Sequence, residues 1–553
     1  MERRGFLRTG ALAGLAALAG RAVARQAGAT PSVAHGSAVP PFELAEATID
    51  DLGAGLALGR WTSVALVEAY LERIEAVDRA GPGLRSILET NPDAMAIADA
   101  LDEERRARGP RGPLHGIPVL LKDNVDTADR MTTTAGSLAL EGSVPAEDST
   151  IARRLRDAGA IILAKTNMSE WANFRSERSS SGWSGRGGQC RNPYVLDRNP
   201  CGSSSGSGAA TSANLGAASI GTETDGSIVC PSNACGLVGL KPTVGLVSRA
   251  GIIPISHTQD TAGPMTRSVR DAAILLGAIA GPDPRDAVSA AAGTRGYADY
   301  TSFLDAAGAK GARIGVARQF FGFHSEVDRV LIEALDALRD LGAELVDPVE
   351  LPEGSRYGQN EMTVLLFEFK ADLNAYLAAL PSGARVRTLA DAIAFNERHA
   401  DREMPFFGQE LFVRAQAAGP LTDRTYRRAV RANLELLRAK GIDATVARHR
   451  LDAIVAPTGG PAWPIDPVNG DHYVGGSSSP AAIAGYPTIT VPAGHVHGLP
   501  VGITFLGPAW SEPVLLRLAY AFEQATRHRR PPVFLPTLPM EPVPAGRPSD
   551  AGT

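Results

Sequence analysis

Residues 199–208 read NPCGSSSGSG and residues 221–228 read GTETDGSI, two stretches made almost entirely of small residues. Between them, residues 209–215 are rich in alanine and predict a short helix, and residues 217–220 predict a strand. A helix of about eleven residues rises ~16 Å, and a strand of about five residues runs back ~17 Å. We therefore expect the second loop to return beside the first, which places Ser227 next to the serines at 203–205.

A serine nucleophile needs a base, and neither loop has a histidine close by in sequence. The candidate base is Lys122, which ends the apolar run of residues 117–121. Burial at a strand end disfavours the charge of a lysine and lowers its pKa, so that the neutral amine can accept a proton. The small residues before the nucleophile predict an oxyanion hole made by the backbone N–H groups of Thr224, Asp225, Gly226 and Ser227.

These motifs together resemble the amidase signature family. The resemblance rests on GIPVLLKDN at 116–124, KTN at 165–167, the Gly202-Ser203-Ser204 loop, GSI at 226–228, GLKPT at 239–243 and LPVG at 499–502. It extends in the same order over residues 44–536. It implies that Ser227 is the nucleophile, that Ser203, preceded by a cis peptide bond, relays its proton, and that Lys122 is the base. Ser204 is a supporting residue in this interpretation.

The chain departs from the family pattern at several positions beside these motifs. Cys201 and Ser205 replace glycines, Glu223 replaces an aspartate, Asp225 a glycine and Val229 an arginine. The amino-acid sequence around both loops and at residues 173–184 is similar to that of bacterial peptide amidases. Those enzymes remove the C-terminal amide of peptides and release ammonia. The resemblance therefore implies a peptide amide as substrate, with small aromatic or aliphatic amides as the alternative.

Three other functions fit parts of the same sequence. Residues 202–206 match the Gly-x-Ser-x-Gly elbow of α/β-hydrolase esterases, although residues 195–200 do not read as the apolar strand that should precede it. The glutaminase subunit of a tRNA amidotransferase shares the motifs, but its partner is cytoplasmic. A non-enzymatic binding protein would use the Gly/Ser loops to hold an anion, which leaves Lys122 unexplained.

Alternating apolar strands and helices predict an α/β fold with a large, mixed, mostly parallel sheet covered by helices on both faces. Thr62 or Ser63 is expected to begin an amphipathic helix. A hairpin is expected from residues 488–491 and 501–505. We assign residues 42–538 to one amidase domain, in which the charged and aromatic segment 351–420 is a possible cap or a plain helical insertion. Residues 539–553 form a Pro-rich tail.

The N-terminus reads as an export signal. Arg3 and Arg4 begin a twin-arginine signature, a modest apolar run covers residues 11–20, and Ala22-Val23-Ala24 suits cleavage. A disordered basic tail is the alternative. Residues 1–24 are therefore expected to direct the protein to the periplasm or outside the cell, and residues 25–41 to form a linker.

Composition limits the partners. The net charge of −5 argues against nucleic acid, and no apolar run is long enough for stable membrane insertion. The spacing of the four cysteines and of the His495/His497 pair does not fit a metal site, so we expect no metal and no cofactor. The cysteines are expected to be buried thiols, with a Cys230–Cys235 disulfide as the alternative. Oligomeric state does not follow from the sequence.

Overall fold

The computed structural model describes residues 39–539. The expected export signal, most of the linker and residues 540–553 of the tail lie outside this range. The strands are β1 (Ile87–Thr90), β2 (Pro118–Lys122), β3 (Ile161–Thr166), β4 (Trp183–Ser184), β5 (Gly188–Gln189), β6 (Ala218–Glu223), β7 (Val238–Lys241), β8 (Thr261–Thr266), β9 (Arg313–Val316), β10 (Glu344–Val346), β11 (Ala453–Pro457), β12 (Thr488–Val496) and β13 (Leu499–Leu506).

The helices up to residue 379 are α1 (Ile49–Ala57), α2 (Ser63–Arg73), α3 (Ala94–Arg108), α4 (Thr150–Asp157), α5 (Ser205–Ser212), α6 (Val229–Ala234), α7 (Val269–Ile279), α8 (Ala292–Arg295), α9 (Ser325–Asp340) and α10 (Gly358–Ala379). They are followed by α11 (Leu389–Arg398), α12 (Ala400–Glu403), α13 (Glu410–Ala417), α14 (Arg424–Leu434), α15 (Asp443–His449), α16 (Ser479–Ala484) and α17 (Glu512–Thr526). Two π-helical segments, Ile74–Arg79 and Glu435–Ile442, continue α2 and α14.

Eleven strands form one mixed sheet in the order β1-β3-β2-β6-β8-β7-β12-β13-β11-β9-β10. Adjacent residues of β11 belong to different cores: Ala453 and Val455 pack with α7, α9 and α17, whereas Ile454 and Ala456 pack with α16. Because successive side chains of a strand point to opposite faces, helices cover both faces of the sheet. The expected α/β architecture is confirmed.

The expected predominance of parallel strands is wrong. The pairs β2–β3, β2–β6, β9–β11 and β9–β10 are parallel, but the six other neighbouring pairs of the large sheet are antiparallel. Helical crossovers produce parallel pairs near the two ends of the sheet. The centre contains strands joined without a helix, among them the expected hairpin of β12 and β13, and such connections give antiparallel pairs.

Local sequence signals explain several element boundaries. Thr62 accepts a hydrogen bond from Ala65 N at 3.1 Å and caps α2, as its sequence position predicts. Segment 351–420 forms α10 to α13, and Phe369, Leu389 and Phe412 share a core with Leu140 and other residues of the main body. None of the helices in the described part of the chain is long and apolar enough to cross a membrane.

The first turn of α5 depends on the absence of a side chain at residue 206. A Cβ atom there would lie 2.4 Å from the backbone oxygens of both Ser86 and Asn167. These oxygens belong to the backbone and cannot rotate away. Gly206 therefore allows the start of α5 to pack closely against the backbone beside β1 and β3.

We predict that Gly206→Ala lowers the free energy of unfolding by about 2 kcal/mol or more, because overpacking forces the backbone apart. Gly53→Ala is the matched control, since a Cβ at Gly53 in α1 meets nothing within 4 Å. That substitution should stabilise the protein by up to about 1 kcal/mol through helix propensity. Urea unfolding measures both, and equal midpoints for the two variants would contradict the packing argument.

Candidate active site

Lys122 is the last residue of β2, and its side chain is fully buried. Its Nζ lies 2.8 Å from Ser203 Oγ, 2.9 Å from Thr222 Oγ1 and 3.1 Å from Thr222 O. Burial lowers the pKa of Lys122 to about 7, although the negative charges of Asp260 and Glu223 act in the opposite direction. The amine is therefore poised to exchange a proton near neutral pH.

The serine-rich loop meets both Lys122 and the loop after β6. The Gly202–Ser203 peptide bond is cis, as the family resemblance implies. Ser203 O accepts a hydrogen bond from Ser169 N at 3.0 Å, which holds the loop from the other side. Ser204 N donates to Ser227 O at 3.2 Å, so the two loops lie side by side. The expected return of the second loop is confirmed.

Ser204 also fixes the loop to β6. Its Oγ donates to Thr222 O at 3.0 Å and accepts from Thr222 N at 3.2 Å. Thr222 in turn accepts a hydrogen bond from Asn124 Nδ2 at 3.0 Å. The supporting position expected for Ser204 agrees with these contacts, whereas the part played by Thr222 did not emerge from the sequence.

Residues 224–227 form a tight turn between β6 and α6. Gly226 has a φ of +80°, which a glycine adopts without cost. Within the described part of the chain, the backbone N–H groups of residues 224–227 donate no hydrogen bond. They are therefore available to donate to an acceptor atom of a ligand. Ser227 is 8% exposed and sits at the end of this turn.

Glu223, the residue before the turn, holds the backbone that follows it. Its Oε2 accepts from Ile228 N at 2.7 Å and Val229 N at 3.0 Å, the N–H groups that begin α6. Burial raises the pKa of Glu223, while Lys241 and the two backbone donors oppose that shift. Glu223 therefore ties the end of β6 to the first N–H groups of α6.

The cysteine arrangement differs from the expectation. Cys201 and Cys230 form a disulfide, while Cys190 and Cys235 are buried free thiols. Neither four thiols nor a Cys230–Cys235 bond is therefore correct. The disulfide joins the residue two before Ser203 to the residue three after Ser227. The spacing of the cysteines does not indicate this pair, but the expected meeting of the two loops brings Cys201 and Cys230 together.

Two cavities border the site. One of about 290 Å³ is lined by Gly202 and Gly226, the disulfide, Trp463 and Asp471, among others, and we call it the Trp463 cleft. The other, of about 470 Å³, reaches Asn124 and Thr222 and receives Asp372 and Tyr376 from α10. Segment 351–420 is thus largely helical, and α10 contributes to the wall of this cavity.

One cluster beside the larger cavity has the composition of a metal site. His257, Glu368 and Asp372 place one ligand atom each within 4.8 Å of one another. His257 Nδ1 lies 2.8 Å from Asp372 Oδ2, and this hydrogen bond raises the pKa of His257. Glu368 accepts from Thr258 N and from Tyr426 Oη. These contacts form an ion-pair network between α10 and residues 256–258, which no sequence motif indicates.

The Amidase family model matches residues 65–516. The chain belongs to the amidase signature family. It is 44% identical over 505 residues to the "Probable amidase" of Arabidopsis thaliana, covering 89% of this chain and 93% of that protein. Among solved structures, the native peptide amidase of Stenotrophomonas maltophilia is 53% identical, with a TM-score of 0.85 over 89% of this chain and 99% of that one. An amidase family protein of Bacillus anthracis is 37% identical, with a TM-score of 0.80, covering 89% and 93%.

The protein is accordingly an enzyme that hydrolyses the carbon–nitrogen bond of amides. The esterase-elbow alternative for residues 202–206 loses its basis, because Ser204 is bonded to β6 and the preceding residues form no strand. Membership of an enzyme family also argues against a non-enzymatic binding protein.

We predict that reducing the disulfide lowers the free energy of unfolding by about 3–4 kcal/mol, because the bond closes a long loop. Its two cysteines are 29 positions apart. Thiol titration of the denatured enzyme should give two reactive thiols before reduction and four after it, as Cys190 and Cys235 are free. Four thiols in an enzyme prepared under oxidising conditions would contradict the assignment.

Proposed function

We propose that the enzyme releases ammonia from the C-terminal amide of peptides, with Ser227 as nucleophile, Ser203 as proton relay and Lys122 as base. The contact that carries the proposal is the 2.8 Å hydrogen bond between Lys122 Nζ and Ser203 Oγ. The Ser204 N to Ser227 O bond places the nucleophile loop beside that pair.

Acylation follows from this arrangement. Neutral Lys122 takes the proton of Ser203 as Ser203 takes the proton of Ser227, and Ser227 Oγ forms a bond to the amide carbon. The carbonyl oxygen becomes an oxyanion, which the N–H groups of residues 224–227 bind. When the carbon–nitrogen bond breaks, the proton held by Lys122 returns through Ser203 to the leaving nitrogen. Ammonia departs and an acyl ester on Ser227 remains.

Deacylation reverses the proton path. A water molecule loses its proton to the Ser203–Lys122 pair and attacks the ester carbon, and the same N–H groups bind the second oxyanion. The proton then returns to Ser227 Oγ as the carboxylic acid leaves. No group other than these residues and water has to exchange a proton, so a metal or cofactor is not needed by this scheme.

The peptide substrate is supported by the similarity of both loops to peptide amidases and by the 53% identical relative that bears this name. Ammonia needs almost no room, so the rest of the substrate must lie on the acyl side of the scissile bond. A small aromatic or aliphatic amide is the second candidate, since it requires the same chemistry and only a smaller acyl site.

We further propose export through the twin-arginine route, supported by the motif at Arg3 and Arg4 and by the disulfide, which suits an oxidising compartment. This location also argues against the glutaminase role in a tRNA amidotransferase. Replacing Arg3 and Arg4 by lysines should leave the enzyme in the cytoplasm, and unchanged secretion of that variant would refute the export signal.

Ser227→Ala should lower kcat by at least about 1,000-fold while the fold stays intact, because no other group can form the acyl enzyme. Lys122→Arg should be equally inactive, since a guanidinium does not give up its proton. Ser203→Ala should retain more activity, because water can occupy the place of the bridging hydroxyl.

Ammonia release and circular dichroism measure activity and folding together. The matched controls are Ser355→Ala and Lys310→Arg, both at exposed positions, which should behave as the native enzyme. A folded Ser227→Ala enzyme with near-normal turnover would end the assignment, and an active Lys122→Arg would remove the lysine relay.

A second test addresses the substrate. An amidated peptide with several internal peptide bonds should gain only the mass change from amide to acid, because the leaving-group side admits ammonia and not a chain. Mass spectrometry distinguishes this product from shorter fragments, which would contradict the proposal. Turnover of benzamide or acetamide without any turnover of amidated peptides would refute the peptide substrate and identify the enzyme as an amidase of small amides.

A further inference from the structure

Of the two cavities beside the site, the Trp463 cleft is the one lined by residues of both loops, so we assign the acyl group of a substrate to it. Gly202 and Gly226, the neighbours of Ser203 and Ser227, form part of its wall. Everything beyond the amide carbon belongs to the acyl group in such a reaction. The chemistry of this cleft therefore decides which peptide amides the enzyme prefers, an argument that rests on the proposed function.

The cleft is anionic. Two carboxylates, Asp225 and Asp471, are among its lining residues, and that lining includes no arginine, lysine or histidine. Neither carboxylate takes part in a salt bridge within the described part of the chain. Burial raises the pKa of both carboxyls, while hydrogen bonds to Asp225 and Asp471 and the charge of Lys241 near Asp225 act in the opposite direction. No cation in the lining of the cleft balances the charge of the pair.

The carboxylate of Asp471 is held in a fixed orientation. Ser181 N donates to Oδ2 at 2.8 Å and Asn199 Nδ2 donates to Oδ1 at 3.0 Å. Asp225 lies in the nucleophile turn, and its Oδ1 accepts from Ser478 Oγ at 2.5 Å. Both acids are thus preorganised before a ligand arrives, which lowers the cost of binding one.

An unsatisfied buried group in the same cleft points independently to a ligand. Trp463 is only 6% exposed, and its indole N–H faces the Asp471 carboxylate but makes no close hydrogen bond in the described part of the chain. A buried donor without a partner is costly, and the carbonyl oxygen of a peptide unit would satisfy it. The ring of Tyr473 packs against Trp463 with centroids 5.8 Å apart, and both rings can also face a cation.

We propose that the enzyme prefers amides whose acyl group carries an alkylammonium ion bound in the Trp463 cleft near Asp471 and Asp225. Two sources have this chemistry: the free N-terminus of a short peptide amide and a lysine side chain within a longer one. A carbonyl of the same acyl group accepts the Trp463 N–H. The carboxylates here select the substrate and take no part in the proton transfers.

Two pairs of neutral and charged substrates separate the sources. One pair is lysine amide and norleucine amide, each acetylated on the α-nitrogen so that only the lysine side chain carries a charge. The other pair is Leu-Phe amide with and without an N-terminal acetyl group. We expect kcat/KM to be about tenfold higher for the charged member of at least one pair, and the preferred pair identifies the source. Equal values in both pairs, or a preference for the neutral members, would overturn the proposal.

Asp471→Asn should reduce that preference at least about threefold, measured as the ratio of kcat/KM for the charged and the neutral amide with the same variant, since the substitution removes the charge. Asp336→Asn on the exposed face of α9 is the matched control and should change nothing. An unchanged preference in folded Asp471→Asn would contradict the role of this carboxylate.

The native enzyme supplies a measurement that does not depend on the variant folding. Raising the ionic strength screens partly exposed charges, so kcat/KM should fall for the charged substrate and stay constant for its neutral partner. The same salt response for both would also overturn the proposal. Absence of turnover for all four amides would count against the proposed function instead, which keeps the two failures distinct.

Discussion

The arrangement of the site depends on the burial of one amine without an ion-pair partner. Lys122 is fully buried, and its hydrogen-bond partners, Ser203 and Thr222, are neutral. A carboxylate in direct contact would stabilise the ammonium form and return the pKa toward that of a free lysine. Instead Glu223 and Asp260 act from a distance, and the pKa falls to about 7. Burial thus favours the neutral amine, and the hydrogen bond to Ser203 orients it.

The rest of the fold brings two loops to this amine. β2 carries Lys122, and the neighbouring β6 carries Thr222 and leads into the nucleophile turn. Helix α5 begins at Ser205, so the serine-rich loop is the start of a helix that leads back to β6. Gly206 permits the close approach, Ser204 ties its loop to β6, and the Cys201–Cys230 disulfide joins the two loops covalently. Together these features hold the serine-rich loop beside β6 and the nucleophile turn, and Ser203 of this loop contacts Lys122.

Local patterns predicted the elements, the return of the second loop and the residues that meet there, because these depend on neighbours in sequence. Two other buried lysines show where such reasoning stops. Lys241 has a pKa of about 8 and lies near Glu223 and Glu512, while Lys165 contacts Val125 O and Thr133 Oγ1. Only contacts across the sheet separate them from Lys122. Apart from the β12–β13 hairpin, the antiparallel pairs of the sheet centre and the His257 network likewise join distant parts of the chain, so no local pattern specified them.

The pH dependence of kcat/KM for a neutral amide tests the central claim most directly. Lys122 works as a base only when it is uncharged, and its pKa is lowered to about 7, so protonation below that pH removes activity. The account predicts that kcat/KM rises from pH 5 to pH 9 with a midpoint about pH 7, because kcat/KM reports the pKa of Lys122 in the enzyme without bound substrate. A midpoint near the ordinary lysine value of about 10.4, or a rate independent of pH across this range, would contradict it.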